Sequence, residues 1–358
     1  MIAAQYYHDI YLIVVSILTF IVGSRYSTYS SDRLYGNNRE DPVPSLILMI
    51  IVTLFIGLRP ISGKYFVDMR ATAIAWPNWN EGIFHFSFGR KNFIYDNIRV
   101  FMATAEMPVE SFFALVAIIY FVMLWISCRK LFPNDTLFVF LIYLAAFSTF
   151  SYGTNGIKAG SAASIFLVAL AYRDNLKVSI PLAIISWGFH HSMIMVLCSY
   201  IVVLFIKDSK YYFALWAFSF FIAATHITFF QQIFASMADE GGESYLSDTI
   251  GSGFRIDFIL YSAMPVLVGY YAIFKKGIKS KMYGTILNLY LMTNSIWMLC
   301  MYANFTNRIA YLSWFMYPIV LIYPFLKEKW SDVQFNVSKL VAYGHLAFTL
   351  FMTYIIYK

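Results

Sequence analysis

Four basic side chains stand at the ends of apolar stretches, where a positive charge is costly unless a partner neutralises it. They are Arg59, Lys158, Arg255 and Arg308. The partner could be a protein carboxylate or an anionic ligand, and any single cation could instead extend its head group towards water. Because several such cations occur in one chain, together they favour an anion site.

The segment 154–158, with the sequence Thr-Asn-Gly-Ile-Lys, is predicted to open a helix. We expect Thr154 or Asn155 to cap that helix through a side-chain oxygen. The free amides and the positive end of the helix dipole favour an anion, and Lys158 adds a full charge one turn further on. The small residues at 160–164 keep the helix slim, which suits close packing or close ligand approach.

Three further positions are candidates for a proton acceptor. His190 and His191 interrupt an apolar stretch, where a histidine can act as a base, donate to a phosphate or simply break the helix. Adjacent residues point about 100° apart on a helix, so this pair is a poor metal site and no metal is predicted. Glu110 is predicted in the first turn of a helix, where the dipole favours a carboxylate, and it could also act as a base.

Arg255 precedes Asp257 by two positions at the start of another predicted helix. Residues two apart do not face each other on a helix. We therefore expect each of these two charged groups to have a different partner.

The composition indicates which kind of scaffold carries these residues. The chain has 358 residues, of which 60% are hydrophobic and 13% charged, with a mean hydropathy of +0.65. Soluble domains are about a quarter charged, and this apolar surface cannot be hidden in one globular core. The sequence predicts an all-α, polytopic membrane bundle forming one transmembrane domain over residues 1–358. The net charge of +7 is interpreted as a topology signal, and no nucleic-acid partner is expected.

About 11 or 12 apolar segments approach the ~20 residues that a membrane-spanning helix needs. Basic residues concentrate in cytoplasmic loops, and this rule is best satisfied if 178–206 forms two short helices meeting at His190-His191. Both termini are then outside the cytoplasm. The predicted segments are 10–23, 44–58, 109–127, 136–152, 157–172, 178–189, 192–206, 211–230, 256–274, 283–302, 309–326 and 338–357.

This topology leaves two long outer segments, 59–107 and 231–254. The first is rich in tryptophan, phenylalanine and tyrosine. It could lie at the membrane interface, or it could cap the bundle and stack on an elongated substrate, and the two interpretations are compatible.

The order of these motifs resembles the EpsG branch of the Wzy-type bacterial polysaccharide polymerases. The resemblance runs from Gly57 to Tyr311, with Lys158 standing where the family usually has an arginine that could bind phosphate through two nitrogens. The matching elements are Gly57-Leu58-Arg59 with Asp68, Glu110-Ser111-Phe112, Asn155 to Ser164, His190-His191-Ser192, Arg255 to Ser262, and Arg308-Ile309-Ala310-Tyr311.

The resemblance implies an inner-membrane enzyme that transfers a glycan from a polyprenyl-pyrophosphate donor to a second lipid-linked repeat, at a site facing the periplasm or the outside. Besides these lipid-linked oligosaccharides, the expected partners are membrane lipids and a possible chain-length regulator, and no cofactor is expected. In this interpretation the catalytic candidates are His190, His191, Glu110 and Asp68. The candidates for binding pyrophosphate or glycan are Arg59, Asn155, Lys158, Arg255, Arg308 and Tyr311.

Three alternatives stay open. A membrane acyltransferase acting on glycans also places a histidine inside a helical bundle. A flippase for lipid-linked sugars would favour internal repeats and charges near the bilayer midplane, and the sequence shows neither pattern. A non-catalytic scaffold of an assembly complex would tolerate replacement of the outer basic residues.

Overall fold

The computed structural model describes residues 2–34, 39–231, 253–304 and 306–357, and all regular elements within these ranges are helical. The predicted all-α class is therefore confirmed. Most of the predicted outer segment 231–254 lies outside the described residues.

The chain divides into two compact units, which are described separately. The first contains Met1–Ser24 and Asn37–His191, and the second contains Arg25–Gly36 and Ser192–Lys358. The organisation as one transmembrane domain remains a prediction.

The first unit contains nine α-helices in its described residues. In chain order they are α1 (Tyr7–Ser24), α2 (Pro42–Gly57), α3 (Val67–Ala75), α4 (Phe93–Thr104), α5 (Val109–Leu131), α6 (Thr136–Leu144), α7 (Phe147–Thr154), α8 (Ile157–Ala171) and α9 (Leu176–Phe189).

The second unit continues with helices that range from 9 to 19 residues in length. They are α10 (Met193–Phe205), α11 (Ser209–Ala224), α12 (Ile256–Tyr270), α13 (Lys281–Leu299), α14 (Thr306–Trp314), α15 (Tyr317–Lys327) and α16 (Gln334–Phe351). A wide π-helical turn follows α12 at Tyr271–Lys275, and another follows α16 at Met352–Ile356.

Among the described residues, five helical stretches are long and apolar enough to cross a membrane, or six if the bent pair α6–α7 is one span. The five are Ala4–Thr28, Val109–Leu131, Ile256–Lys275, Thr306–Lys327 and Gln334–Ile356. The sequence predicted about 11 or 12 segments, and most of the others form shorter helices. A helix of 14 residues such as α9 rises about 21 Å, less than the ~30 Å hydrocarbon layer.

The predicted segment 136–152 is not one straight helix. α6 and α7 meet at an angle of 75°. The apolar run of this segment predicted a helix, but hydropathy carries no information about the direction of the helix axis.

α8 lies at the centre of the first unit, packed against α5 and α9, and nearly all of its residues are buried. Its small residues serve packing. A Cβ on Gly160 would lie 2.8 Å from the carbonyl oxygen of Tyr152, so only glycine lets the end of α7 lie so close to α8.

We expect Gly160→Ala to destabilise the first unit by about 1–3 kcal/mol, because the nearest atom is the backbone carbonyl oxygen of Tyr152, which cannot move aside easily. The control is Gly284→Ala in α13, where nothing lies within 4 Å of the added methyl group. That control should be neutral or slightly stabilising. Thermal unfolding in one detergent compares the two variants, and equal melting temperatures would contradict the prediction.

A buried polar network joins four helices of the second unit. Asn294 of α13 donates to the hydroxyl oxygens of Ser262 and Ser313, at 3.0 Å each, and accepts from the Trp216 indole at 2.9 Å. The Trp314 indole also donates to Ser262, at 2.8 Å. Such shared hydrogen bonds hold helices together where apolar burial gives little driving force.

Candidate functional site

The predicted cap, 59–107, folds into helices α3 and α4 with a short 3-10 turn between them. Its middle is joined to its carboxyl end, because the Trp76 indole donates to the Met107 carbonyl at 3.0 Å. The Arg99 guanidinium lies 3.5 Å from the centre of the Trp79 ring. Among the aromatic residues of this segment, Phe86 and Phe88 are the most exposed, at 53% and 78%.

Arg59 follows the end of α2 and is only 2% exposed. One terminal nitrogen donates to the Ile56 carbonyl at 2.7 Å, and the other donates to the Thr154 carbonyl at 2.9 Å. The guanidinium also lies 5.5 Å from the centre of the Phe66 ring and 5.7 Å from that of Phe113. Arg59 therefore joins the end of α2 to the link between α7 and α8.

Burial lowers the pKa of Arg59 to about 10, against the opposing influence of Tyr7 and Tyr95. The side chain thus stays protonated at neutral pH. Its Nε is buried and has no hydrogen-bond partner among the described residues. A charged donor in this position is suited to holding backbone in place.

We expect Arg59→Lys to lower the free energy of unfolding by about 1.5–3 kcal/mol, the contribution of one hydrogen bond from a charged group. An ammonium keeps the charge but lacks the planar fork that reaches the Ile56 and Thr154 carbonyls together. Amide hydrogen exchange at 153–160 measures the loss. Arg70→Lys is the control because Arg70 is exposed on α3. Equal exchange in both variants would show that the Thr154 contact contributes no stability.

The helix opening at 154–158 differs from the prediction in its cap. α8 begins at Ile157, its N-cap is Gly156, and no side chain caps it. Thr154 ends α7, and its hydroxyl donates to the Phe150 carbonyl at 2.8 Å. The capping prediction was wrong because α7 continues to Thr154 and uses that side chain itself.

Lys158 lies in the first turn of α8 and is half-buried. Asn155 immediately precedes this opening, and its buried side-chain oxygen has no hydrogen-bond partner among the described residues. The uncapped amides and the nearby ammonium together favour an anion at this helix end.

The break at His190-His191 is confirmed, because α9 ends at Phe189 and α10 begins at Met193. His190 has extended backbone angles, φ −147° and ψ 113°. Both histidines are half-buried. The His191 ring lies 6.3 Å from the Trp187 ring, measured between centroids.

Asn92 holds this break from a distant part of the chain. Its side-chain oxygen accepts from the His191 backbone amide at 2.8 Å, and its backbone amide donates to the Asp96 carboxylate at 3.1 Å. Gly188 permits the approach, since a Cβ there would lie 2.6 Å from a side-chain carbon of Ile94. Asn92 was not among the predicted site residues. The only available signal was an asparagine before a helix, a common N-cap residue, yet its side chain does not cap α4.

The two predicted carboxylates occupy similar local positions. Asp68 lies in the first turn of α3 and Glu110 in the first turn of α5, and both are exposed. Asp68 is near enough to Tyr95 to help raise the pKa of its phenol, although burial of that phenol is the larger cause.

In the second unit, Arg255 pairs with Asp257, which corrects the expectation of separate partners. Its Nε and one terminal nitrogen donate to the two carboxylate oxygens at 3.0 and 2.6 Å. Arg255 is the N-cap of α12, with φ −91° and ψ 70°. Because this residue is not helical, the rule for residues two apart on a helix does not apply. The hydroxyl of Tyr357 contacts both charged groups.

Arg308 and Tyr311 lie one turn apart on α14, Arg308 exposed and Tyr311 buried. Although partial burial opposes it, the pKa of Arg255 is raised by its hydrogen bond to Asp257 and by the charges of nearby groups that include Tyr311. Tyr311 is therefore within electrostatic range of Arg255. Tyr357, near residue 358, was not among the predicted site residues.

The predicted residues thus divide between the units. The first unit holds Arg59, Asp68, Glu110, Asn155, Lys158, His190 and His191, and the second holds Arg255, Arg308 and Tyr311. Within the described ranges, no group of three or more His, Cys, Asp or Glu residues could hold a metal.

Comparison with known proteins gives one family match, to the EpsG family, over residues 75–358. No curated protein matches, and no solved structure matches. Arg59 and Asp68 precede the matched region. The family suggests a polymerase of polysaccharide biosynthesis, and the long apolar helices agree with a multi-pass membrane protein. Since the match covers well over half of the sequence, this chain belongs to the EpsG family.

Proposed function

We propose that the protein joins polyprenyl-pyrophosphate-linked oligosaccharide repeats at the outer face of a bacterial inner membrane. The observation that carries the proposal is the contact between the Arg59 guanidinium and the Thr154 carbonyl, 2.9 Å long. It fixes the uncapped start of α8, with Asn155 and Lys158, in a position suited to an anion. Family membership supplies the class of reaction.

In the proposed reaction, a hydroxyl oxygen of the acceptor sugar attacks the anomeric carbon of the donor glycan. The new bond joins that carbon to the acceptor oxygen, while the bond to the pyrophosphate oxygen breaks with its electron pair. The acceptor proton passes to a protein base, and polyprenyl pyrophosphate leaves. Because the leaving group is already good, the protein contributes mainly position and charge stabilisation.

In the first unit, Lys158 and the amides of α8 are the proposed contacts for pyrophosphate oxygens, and Asn155 adds a polar side chain. Arg59 acts by holding the helix opening in place, since its terminal nitrogens already bind carbonyls. In the second unit, Arg255, Arg308 and Tyr311 form a further proposed site for a pyrophosphate or glycan.

His190 or His191 is the proposed base, with Glu110 and Asp68 as the next candidates. The extended backbone at His190 frees this segment from helical constraint, and the Asn92 contact to the His191 amide fixes its position. The exposed Phe86 and Phe88 rings of the cap offer surfaces on which a glycan can stack.

The test is reconstitution of the full chain in nanodiscs with a synthetic polyprenyl-pyrophosphate oligosaccharide. A gel should show a ladder of added repeats, and release of polyprenyl pyrophosphate should equal the number of linkages formed. Movement of lipid-linked glycan across a vesicle membrane without linkage would instead support a flippase. Transfer of an acyl group to the glycan would support an acyltransferase. Either of these results without a ladder would overturn the proposal.

A further inference from the structure

A cavity of about 240 Å³ lies in the second unit, beyond the residues considered for glycan chemistry. It is enclosed by the last turns of α12, the π-helical turn after it and the end of α15. Its apolar wall is formed by Leu267, Val268, Ala272, Ile278, Pro324 and Phe325.

The wide turn at Tyr271–Lys275 shapes this cavity. Gly277 follows with φ +66°, a left-handed conformation that favours glycine. The chain then folds back, so that the Ile278 amide donates to the Ala272 carbonyl at 3.1 Å and the Ile278 side chain lines the wall. Single π-helical turns are frequent at functional sites.

A lysine lies at the edge of the cavity, between two aromatic rings. The Lys276 ammonium is 5.6 Å from the centre of the Tyr271 ring and 5.2 Å from the centre of the Trp330 ring. The Trp330 indole is fixed by a 3.2 Å hydrogen bond to the Pro324 carbonyl. A positive charge is therefore held beside an apolar space, with the ammonium still reaching solvent.

The same end of these helices is strongly basic. Five further exposed lysines lie in or next to the two segments that form the cavity, where the carboxylates are Glu328 and Asp332. These lysines are Lys275, Lys279, Lys281, Lys327 and Lys329. By the positive-inside rule, this end is expected in the cytoplasmic leaflet, where anionic lipids attract clustered lysines.

We propose that this cavity binds an anionic phospholipid, with part of one acyl chain inside and the phosphate at Lys276. The apolar wall suits an alkyl chain, and the volume is smaller than the roughly 300 Å³ at which pockets for whole small molecules begin. Tyr271 and Trp330 are residue types that favour the level of lipid headgroups. The excess of lysines complements the phosphate. This site would bind a lipid of the membrane in which the protein lies. The proposal does not depend on the glycan reaction.

Native mass spectrometry of the delipidated full chain tests the proposal, using phosphatidylglycerol and phosphatidylcholine with identical acyl chains. Wild-type protein should bind phosphatidylglycerol more tightly. Lys276→Gln should weaken that binding about fivefold, the effect of one lysine near an anionic headgroup. Lys210→Gln is the matched control, because Lys210 is exposed, pairs with Asp208 at 2.9 Å and does not line the cavity.

A second variant, Val268→Trp, fills the cavity and should weaken the binding of both lipids. Three results would overturn the proposal: equal affinity of the wild type for the two lipids, the same behaviour of Lys276→Gln and Lys210→Gln, or full binding by Val268→Trp. Because Lys276 is exposed, its substitution leaves the fold intact and keeps the comparison interpretable.

Discussion

Single substitution of His190 and His191 by glutamine is expected to lower the rate of repeat addition by about 10²–10⁴-fold for whichever histidine is the base. Glutamine keeps much of the size and polarity of histidine but cannot accept and pass on a proton at neutral pH. Since the base acts on the transition state, kcat should fall while KM for the lipid-linked acceptor changes little. Repeat addition is measured by ladder formation in nanodiscs under initial-rate conditions.

The matched control for these variants is His226→Asn, because His226 is an exposed histidine outside the proposed site. Its φ of 59° is left-handed, a region that asparagine tolerates better than most residues. This variant should polymerise at the wild-type rate. Wild-type rates in both His190→Gln and His191→Gln would show that neither histidine is the base. Glu110 and Asp68 would then be the remaining candidates.

Arg255→Ala is expected to lower the rate of repeat addition by about 10²–10³-fold, the usual effect of removing a group that stabilises developing charge. The same substitution also removes the two-point contact with Asp257, so a structural effect must be separated from a direct one. Arg173→Ala controls for loss of one positive charge, since Arg173 lies in the short link between α8 and α9 and is not a predicted site residue. That control should retain its activity.

A double-mutant cycle with Asp257→Asn makes the separation. If Arg255 contacts the pyrophosphate, Arg255→Ala should still lower the rate by a similar factor when Asp257 is already neutral. If Arg255 serves only to hold Asp257, then Arg255→Ala should have no further effect in the Asp257→Asn background. The second outcome would remove Arg255 from the proposed anion site and leave it as a structural residue.

The position of the candidate site could be predicted only in part. The break at His190-His191 was predictable because two polar residues inside an apolar run interrupt a membrane-compatible helix. The partner of His191 was not predictable, since Asn92 is 99 positions away. Which distant residues meet depends on how helices pack, and hydropathy is a property of each segment alone.

Arg59 illustrates the same limit. The sequence indicated a cation at the end of a helix that needed a partner, and it suggested a carboxylate or an anionic ligand. The structure supplies backbone carbonyls, one from the last turn of its own helix and one from Thr154. A backbone carbonyl is present at every residue, so no pattern of residue types could single out Thr154.

The sequence by itself determined the helical membrane class, since the apolar fraction and the long uncharged runs leave the bilayer as the only adequate solvent. It also determined the slim start of α8, because glycine, serine and alanine at 160–164 permit close packing wherever that helix lies. Only the tertiary structure decided the 75° bend between α6 and α7, the burial of Arg59 and the pairing of Arg255 with Asp257. These features depend on backbone direction at helix ends and on contacts between distant segments, and composition and periodicity fix neither.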